Sequence, residues 1–400
     1  MTVKIVEVLI MKTFTMSMVI SGWVFLGFVS CSHDTRSFEA RVEEALMNRL
    51  KEYDVKGASA AIILPDGRVR SLCAGVSADT VTMKPDMLFA IGSITKNMVA
   101  ALVLQLAEEQ LLSLDDPLSR WLPSYPHVDS IITIRQLLNH TSGIYMFWEN
   151  PKLWEDMLAF RDSLFTPEVV LTYLKKPHFA PGKGFRYSNT NYLLLAMIAV
   201  RATHSSLSAE FRRRFWEPLR LGNTYLSMEE PIPQEQLAHV WGDNFQNDGS
   251  NRDITFLPRA SHESITYGSS GVFTTAGELA QWCHALFHGQ VLKKSALDQM
   301  LDFNPQATTS WCDGYGLGVQ LFKKKITDGE RAYGHGGGNI GTSAYMVYLP
   351  DRDVSISLMI NFFHGKCPDR MLDDIIEIVT EHLASTCRHT SDETFDRRDG

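Results

Sequence analysis

The stretch AIGSITKNMVAALVLQLAEEQ, residues 90–110, decides how the rest of the chain is read. After Lys96 it is apolar on most faces, the pattern of a helix buried in a core. Its first turn nonetheless carries Ser93 and Lys96, three residues apart and therefore on one helix face. A serine hydroxyl becomes a nucleophile only when a base takes its proton. Burial lowers a lysine pKa, and the positive end of a helix disfavours ammonium and favours an oxyanion. Ser93 and Lys96 at the start of a buried helix thus form a candidate activated nucleophile, which the core would hold in place. By composition, about one Ser-x-x-Lys arises by chance in a chain of this length, so the motif needs partners.

Two further segments supply candidates. FRYSNTNYLLLA places Tyr187, Ser188 and Asn189 after Pro181-Gly182-Lys183-Gly184 and just before an apolar helix. A loop running into a helix can point side chains into a cleft. Tyr187 offers a phenol that would act as a base if cations lowered its pKa, and Asn189 an amide for a substrate carbonyl. YGHGGGNIGTSAYMVYLP holds His335, Gly336, Gly337 and Gly338 at the start of a strand pattern. Glycines at a strand edge let a backbone or ligand approach closely, and a free N–H there can bind an oxyanion. His-Gly-Gly-Gly is also a lipase oxyanion motif, but no G-x-S-x-G nucleophile follows it. Gly336, Gly338 and Gly341 spell a dinucleotide fingerprint, but that motif opens a helix, not a strand.

The whole chain sets wider bounds. Its 400 residues, 44% hydrophobic and 21% charged, are those of a globular protein able to bury a large core. A net charge of -8 argues against nucleic acid as a partner. The six cysteines show no zinc spacing.

The N-terminus differs from the rest. MKTFTMSMVISGWVFLGFVSC, residues 11–31, has one lysine, an apolar run and then small residues, as in an export signal. Its end is similar to a bacterial lipobox with Cys31 as the lipidated residue, although Phe28 stands at the usual leucine. A cleaved soluble signal and an uncleaved anchor are the other readings, the run being close to the about 18 residues that span a bilayer. Glu7 lies in an apolar run that suits no export signal, which makes Met11 a candidate start. With Cys31 lipidated, five cysteines remain and at least one is unpaired within the chain.

Periodicity gives the elements. FEARVEEALMNRLKEYD is an amphipathic helix. ASAAIILPDGRVRSLCAGV is a hairpin turning at Pro65-Asp66-Gly67. Residues 112–265 read as a mainly helical lobe, with a capping box at Thr133 and Gln136, a helix start at Thr166-Pro167 and an irregular loop over 230–265. Thr275 and Glu278 cap another helix. YGLGVQLF, SAYMVYLP and DVSISLMINFF are strands, the last two joined at Asp351-Arg352-Asp353, and DRMLDDIIEIVTEHL is a closing helix. Residues 389–400 read as a disordered charged tail. The predicted class is α+β: an antiparallel sheet built from both ends of the chain, flanked by helices, with the lobe inserted. The domain spans 32–388, after a signal segment of residues 1–31.

Three elements in this order are far more specific than any one. Together with LLSLDDPLSRWLP, ITIRQLLNHTSGI, PGKGFRYSN and GSSGVFTTAGELAQW, they make the chain, over roughly residues 40–385, resemble the serine β-lactamase and penicillin-binding protein superfamily. The similarity is to its class C β-lactamase and D,D-peptidase branch, which also holds D-aminopeptidases and esterases. The resemblance implies a β-lactamase/transpeptidase-like fold and a serine hydrolase of the cell envelope or periplasm, without metal or cofactor. Its substrates would be small molecules or short peptides. Ser93 would be acylated, Lys96 would share its proton, and Tyr187 would be the general base. Asn189 would hold the substrate carbonyl, and the N–H groups of Ser93 and Gly338 would form the oxyanion hole. His335-Gly336-Gly337 falls where the family has Lys-Thr-Gly. A hydroxyl is lost, and a fixed cation gives way to a group near half charge around pH 6.5. That weakens binding of a substrate carboxylate and leaves esters, amides and D-amino peptides open. A binding module that is acylated without turnover is the alternative, against which the intact Ser, Lys, Tyr and Asn argue. His140 reads as a structural helix end, and His284 and His288 as a surface pair. Trp282 and Trp311 read as core. The insert Tyr145-Met146-Phe147-Trp148 and the 230–265 loop are expected to shape the cleft.

Overall fold

The computed structural model describes residues 36–243, 250–363 and 366–395. The expected signal segment, with Cys31, lies outside them. The chain divides between Arg36 and Ser37, and every element below belongs to the second unit.

Helix α1 (Phe38–Tyr53) starts where Ser37 Oγ accepts the Ala40 N–H, and buries Phe38, Val42, Leu46 and Leu50, four residues apart. Strands β1 (Gly57–Ile63) and β2 (Val69–Ala78) form the expected hairpin. Gly67 closes its turn through N–H to Leu64 O at a φ of +72°, which glycine adopts without strain. Strands β3 (Val81–Thr82) and β4 (Phe89–Ala90) lead to a tight turn at Gly92–Ile94 and to helix α2 (Thr95–Glu108).

The lobe of residues 112–265 holds α3 (Ile134–Leu138), α4 (Pro151–Ala159), α5 (Pro167–Leu171), α6 (Asn189–Thr203), α7 (Leu207–Phe211) and α8 (Ala260–Ile265). It also holds three two-residue strands too short to leave a pattern: β5 (Tyr225–Leu226), β6 (Trp241–Gly242) and β7 (Arg252–Asp253). The capping box at Thr133 and Gln136 is fully formed, and Thr166 caps α5 with Pro167 behind it.

The chain then runs through β8 (Val272–Thr274), α9 (Ala276–Phe287), α10 (Lys294–Met300), β9 (Cys312–Tyr315), β10 (Gln320–Phe322), β11 (Tyr333–Asn339), β12 (Thr342–Leu349), β13 (Val354–Ile360) and α11 (Cys367–Phe395). Two expectations are corrected here. YGLGVQLF is not one strand. Gly316 and Gly318 break it into the β9–β10 hairpin, with Gly316 N–H bonded to Val319 O and Gly318 at φ +74°. The closing helix reaches Phe395, so residues 389–395 of the expected disordered tail are helical. No glycine or proline interrupts the chain between Pro368 and Phe395. Residues 396–400 lie outside the described ones.

The main sheet has the order β3-β2-β1-β13-β12-β11-β10-β9, antiparallel throughout. β1 from the N-terminal side pairs with β13 from the C-terminal side, Ala58 opposite Ile360. Both sheet faces are buried. On β13, Val354, Ile356, Leu358 and Ile360 pack towards α1 and α11, while Met359 joins the core formed with α2, α6 and α9. Cys73, Cys283 and Cys312 are free thiols. Among the described residues no helix is long and apolar enough to cross a membrane.

Candidate active site

Ser93 sits in the turn Gly92–Ile94 that precedes α2, partly exposed at the helix N-terminus. Lys96 lies one turn on and is wholly buried. Its Nζ donates to Ser93 Oγ at 2.9 Å and to the Ser269 carbonyl at 2.7 Å. It also lies over the rings of Tyr187 (5.0 Å) and Tyr192 (5.7 Å). No carboxylate compensates the burial, which pushes its pKa well below the ordinary lysine value. Such a lysine gives up its proton more readily than an ordinary one, and the amine so formed can accept a proton.

Tyr187 comes from the loop before α6. Its ring packs 4.3 Å from His140 and edge-on to Trp311 at 5.7 Å. Burial raises its pKa, and a hydrogen bond with Ser93 only partly opposes this. The condition under which Tyr187 would act as a base, a pKa lowered by cations, is not met: burial raises it. Asn189 opens α6, and its Oδ1 has no hydrogen-bond partner.

His335 is also corrected. It points from β11 into the protein and is wholly buried, so it is not a group near half charge around pH 6.5. Tyr315 Oη bonds its Nε2 at 3.0 Å, and its Nδ1 lies 2.6 Å from Gly336 O. Gly336 O can only accept, so Nδ1 carries a proton and donates it there, while Nε2 is paired with the Tyr315 hydroxyl. Burial, the largest cause, holds its pKa well below the ordinary histidine value. No positive charge stands at this position near neutrality.

The three glycines have a steric reason. A Cβ on Gly337 would fall 2.0 Å from Ile91 O and 3.1 Å from Ser93 N. One on Gly92, whose φ is +53°, would fall 2.4 Å from Gly338 O. β11 thus lies backbone to backbone against the Ser93 turn, a packing that only glycine permits. Gly336 is tight against the Tyr345 ring, and Gly338 against Phe363.

All the predicted site residues among the described ones meet here. Ser93, Lys96, Tyr187, His335 and the glycines form one cluster, and Asn189 and Gly338 open onto a common cavity. The fold adds groups that sequence reasoning missed. The Ser269 carbonyl has no side-chain signal. Tyr192, Tyr315 and Gln320 reach the cluster from α6 and the β9–β10 hairpin; Tyr192 could have been found from its place one turn after Asn189.

His140 does end a helical segment at φ +60°, and lies buried below Tyr187. Its Nδ1 accepts the Ser188 N–H at 3.2 Å, with Asn191 Nδ2 at 3.0 Å. His284 and His288 are stacked 3.8 Å apart, and His288 Nε2 contacts Asp353 at 2.7 Å. Trp282 is core, bonded to Asn97, whereas Trp311 packs on Tyr187. Among the described residues no group of three or more His, Cys, Asp or Glu side chains is placed to hold a metal ion.

A sheet between two helical layers, with a serine turn at the mouth of a buried helix, is the plan of the β-lactamase/transpeptidase-like folds. The chain belongs to the beta-lactamase family, whose model matches residues 40–380. It is 26% identical over 312 residues to penicillin-binding protein 4* of Bacillus subtilis (strain 168), covering 75% of this chain and 66% of that protein. It is 31% identical over 259 residues to esterase EstB of Burkholderia gladioli, covering 60% and 65%. Among solved structures, a D-stereospecific amidohydrolase from Streptomyces sp. superposes with a TM-score of 0.71 at 29% identity, over 81% of this chain and 94% of that one. The chain spans less than two thirds of the length of the first curated relatives.

Proposed function

We propose that this chain is a serine hydrolase that forms an acyl-enzyme on Ser93 with small esters, amides or D-amino-acid peptides. The observation that carries this is Lys96: a wholly buried amine, uncompensated by any carboxylate, 2.9 Å from a serine hydroxyl. In the first step Lys96 Nζ takes the Ser93 Oγ proton as Oγ bonds to the substrate carbonyl carbon. The N–H groups of Ser93 and Gly338 hold the oxyanion, and Asn189 orients the acyl side through its amide. On collapse, the bond to the leaving group breaks. The leaving group takes the proton of the Tyr187 phenol, and the Lys96 ammonium, whose Nζ lies over the Tyr187 ring, gives its proton to Tyr187, so that both return to their starting state. Water then attacks the ester with Lys96 as base, and Ser93 leaves with its proton restored.

His335, Gly336 and Gly337 line the site without supplying a cation, so substrate carboxylates are poorly held there. The names of the relatives, an esterase, a D-stereospecific amidohydrolase and a penicillin-binding protein, span the chemistry proposed. The leader supports export: residues 1–31 as a signal with Cys31 lipidated, and residues 32–388 as the hydrolase domain at the cell envelope. Hydrolysis of a panel of 4-nitrophenyl esters, D-amino-acid amides and a chromogenic cephalosporin tests the reading. Turnover of at least one ester or D-amide is expected, falling about 10³-fold or more in Ser93→Ala. Equal turnover by the variant would refute it.

A further inference from the structure

Beyond Asn189 and Gly338 the site continues into a cavity of about 660 Å³. Its walls are aromatic. Trp148 stacks against His262 (centroids 5.7 Å, planes 21° apart) and meets Trp154 at 4.6 Å. Trp154 Nε1 donates to Trp148 O at 3.0 Å, which locks the pair together. Trp241, Phe362 and Phe363 line the same cavity. Trp241 is held by its Nε1–H to Ser77 O at 2.9 Å. Phe363 lies over the Gly338 backbone with two thirds of its surface exposed (66%).

Asp54 and Asp243 line the cavity, and the Lys56 ammonium stands 4.9 Å over the Trp241 ring. Among its described lining residues there is no lysine or arginine to pair with a ligand carboxylate. Rings held by their own hydrogen bonds make a slot that flat apolar groups fill at little entropic cost. Apolar walls strip water from a carboxylate without replacing it, which disfavours an anionic end.

Resting on the serine-hydrolase reading, we infer that this cavity binds the acyl side chain of the substrate, and that the chain selects acyl groups ending in an uncharged aromatic ring while rejecting those ending in a carboxylate. Asn189 at the entrance assigns the cavity to the acyl side, because the same side chain orients the carbonyl beside the bond that is broken. Trp148 and Phe363 are the specificity-determining residues.

The test uses 4-nitrophenyl esters that share a leaving group and differ in the acyl part: acetyl, 3-phenylpropanoyl, 3-cyclohexylpropanoyl and 3-carboxypropanoyl. Expected for the wild type is a kcat/KM for 3-phenylpropanoyl about tenfold or more above acetyl, and about a hundredfold above 3-carboxypropanoyl. The cyclohexyl ester should fall between. In Trp148→Ala the phenylpropanoyl-to-acetyl ratio is expected within about threefold of one, and Trp148→Phe should restore most of it. Phe363→Ala, at the exposed ring, supplies the same comparison if Trp148→Ala does not fold. A wild type that is labelled at Ser93 by a fluorophosphonate yet hydrolyses all four esters alike overturns this inference alone. A wild type that is not labelled overturns the hydrolase reading beneath it.

Discussion

Lys96→Met is expected to lower kcat/KM for the best substrate by about 10³-fold, within the range that a positioned general base contributes. Methionine matches the length of the lysine stem and leaves an apolar group in an apolar place, so the buried helix should persist. What disappears is the amine that reaches both Ser93 Oγ and the Ser269 carbonyl. The pH profile checks the role separately. Because burial lowers the Lys96 pKa, the neutral, reactive form is reached at lower pH than for an ordinary lysine. kcat/KM should rise as Lys96 loses its proton and be flat above. The residual activity of Lys96→Met should lack that limb. His335, with its pKa held well below the ordinary histidine value, stays uncharged throughout and adds no inflection near pH 6.5. A near wild-type rate in Lys96→Met would remove the base from the mechanism.

Gly337→Ala should be nearly as damaging. Its Cβ would stand 2.0 Å from Ile91 O, and backbone cannot swing aside as a long side chain can. Either β11 or the Ser93 turn must move, and the Ser93 N–H lies in the same contact. Misplacing one oxyanion donor costs about 10² to 10³ in kcat, so a loss of at least about 10²-fold is expected. A thermal melt that still shows one cooperative transition would place the loss at the site. An alanine variant with full activity would show that this contact does not set the oxyanion geometry.

These two variants mark what the sequence could and could not say. The Ser93–Lys96 pair was legible because helix spacing alone puts both on one face. Tyr187, Asn189 and the glycine strand were legible as motifs, and the sheet built from both chain ends followed from where the strand patterns fell. The protonation states were not. His335 is neutral because Tyr315 and the β9–β10 hairpin bury it, and that hairpin itself was hidden in what reads as a single strand. The Tyr187 pKa is raised because the ring is buried, a property of the fold and not of residue type. The Ser269 carbonyl carries no side-chain signal at all. The cavity joins rings from α1's end to the β13 exit, and its place near Trp148 and the 230–265 loop was foreseeable, but its aromatic walls were not.

An activated nucleophile at Ser93 is labelled by a fluorophosphonate, so intact mass after exposure, wild type beside Ser93→Ala, reads its activation. One adduct is expected on the wild type, mapped to Ser93, and none on the variant. No adduct on the wild type, or an equal adduct on both, would contradict an activated Ser93.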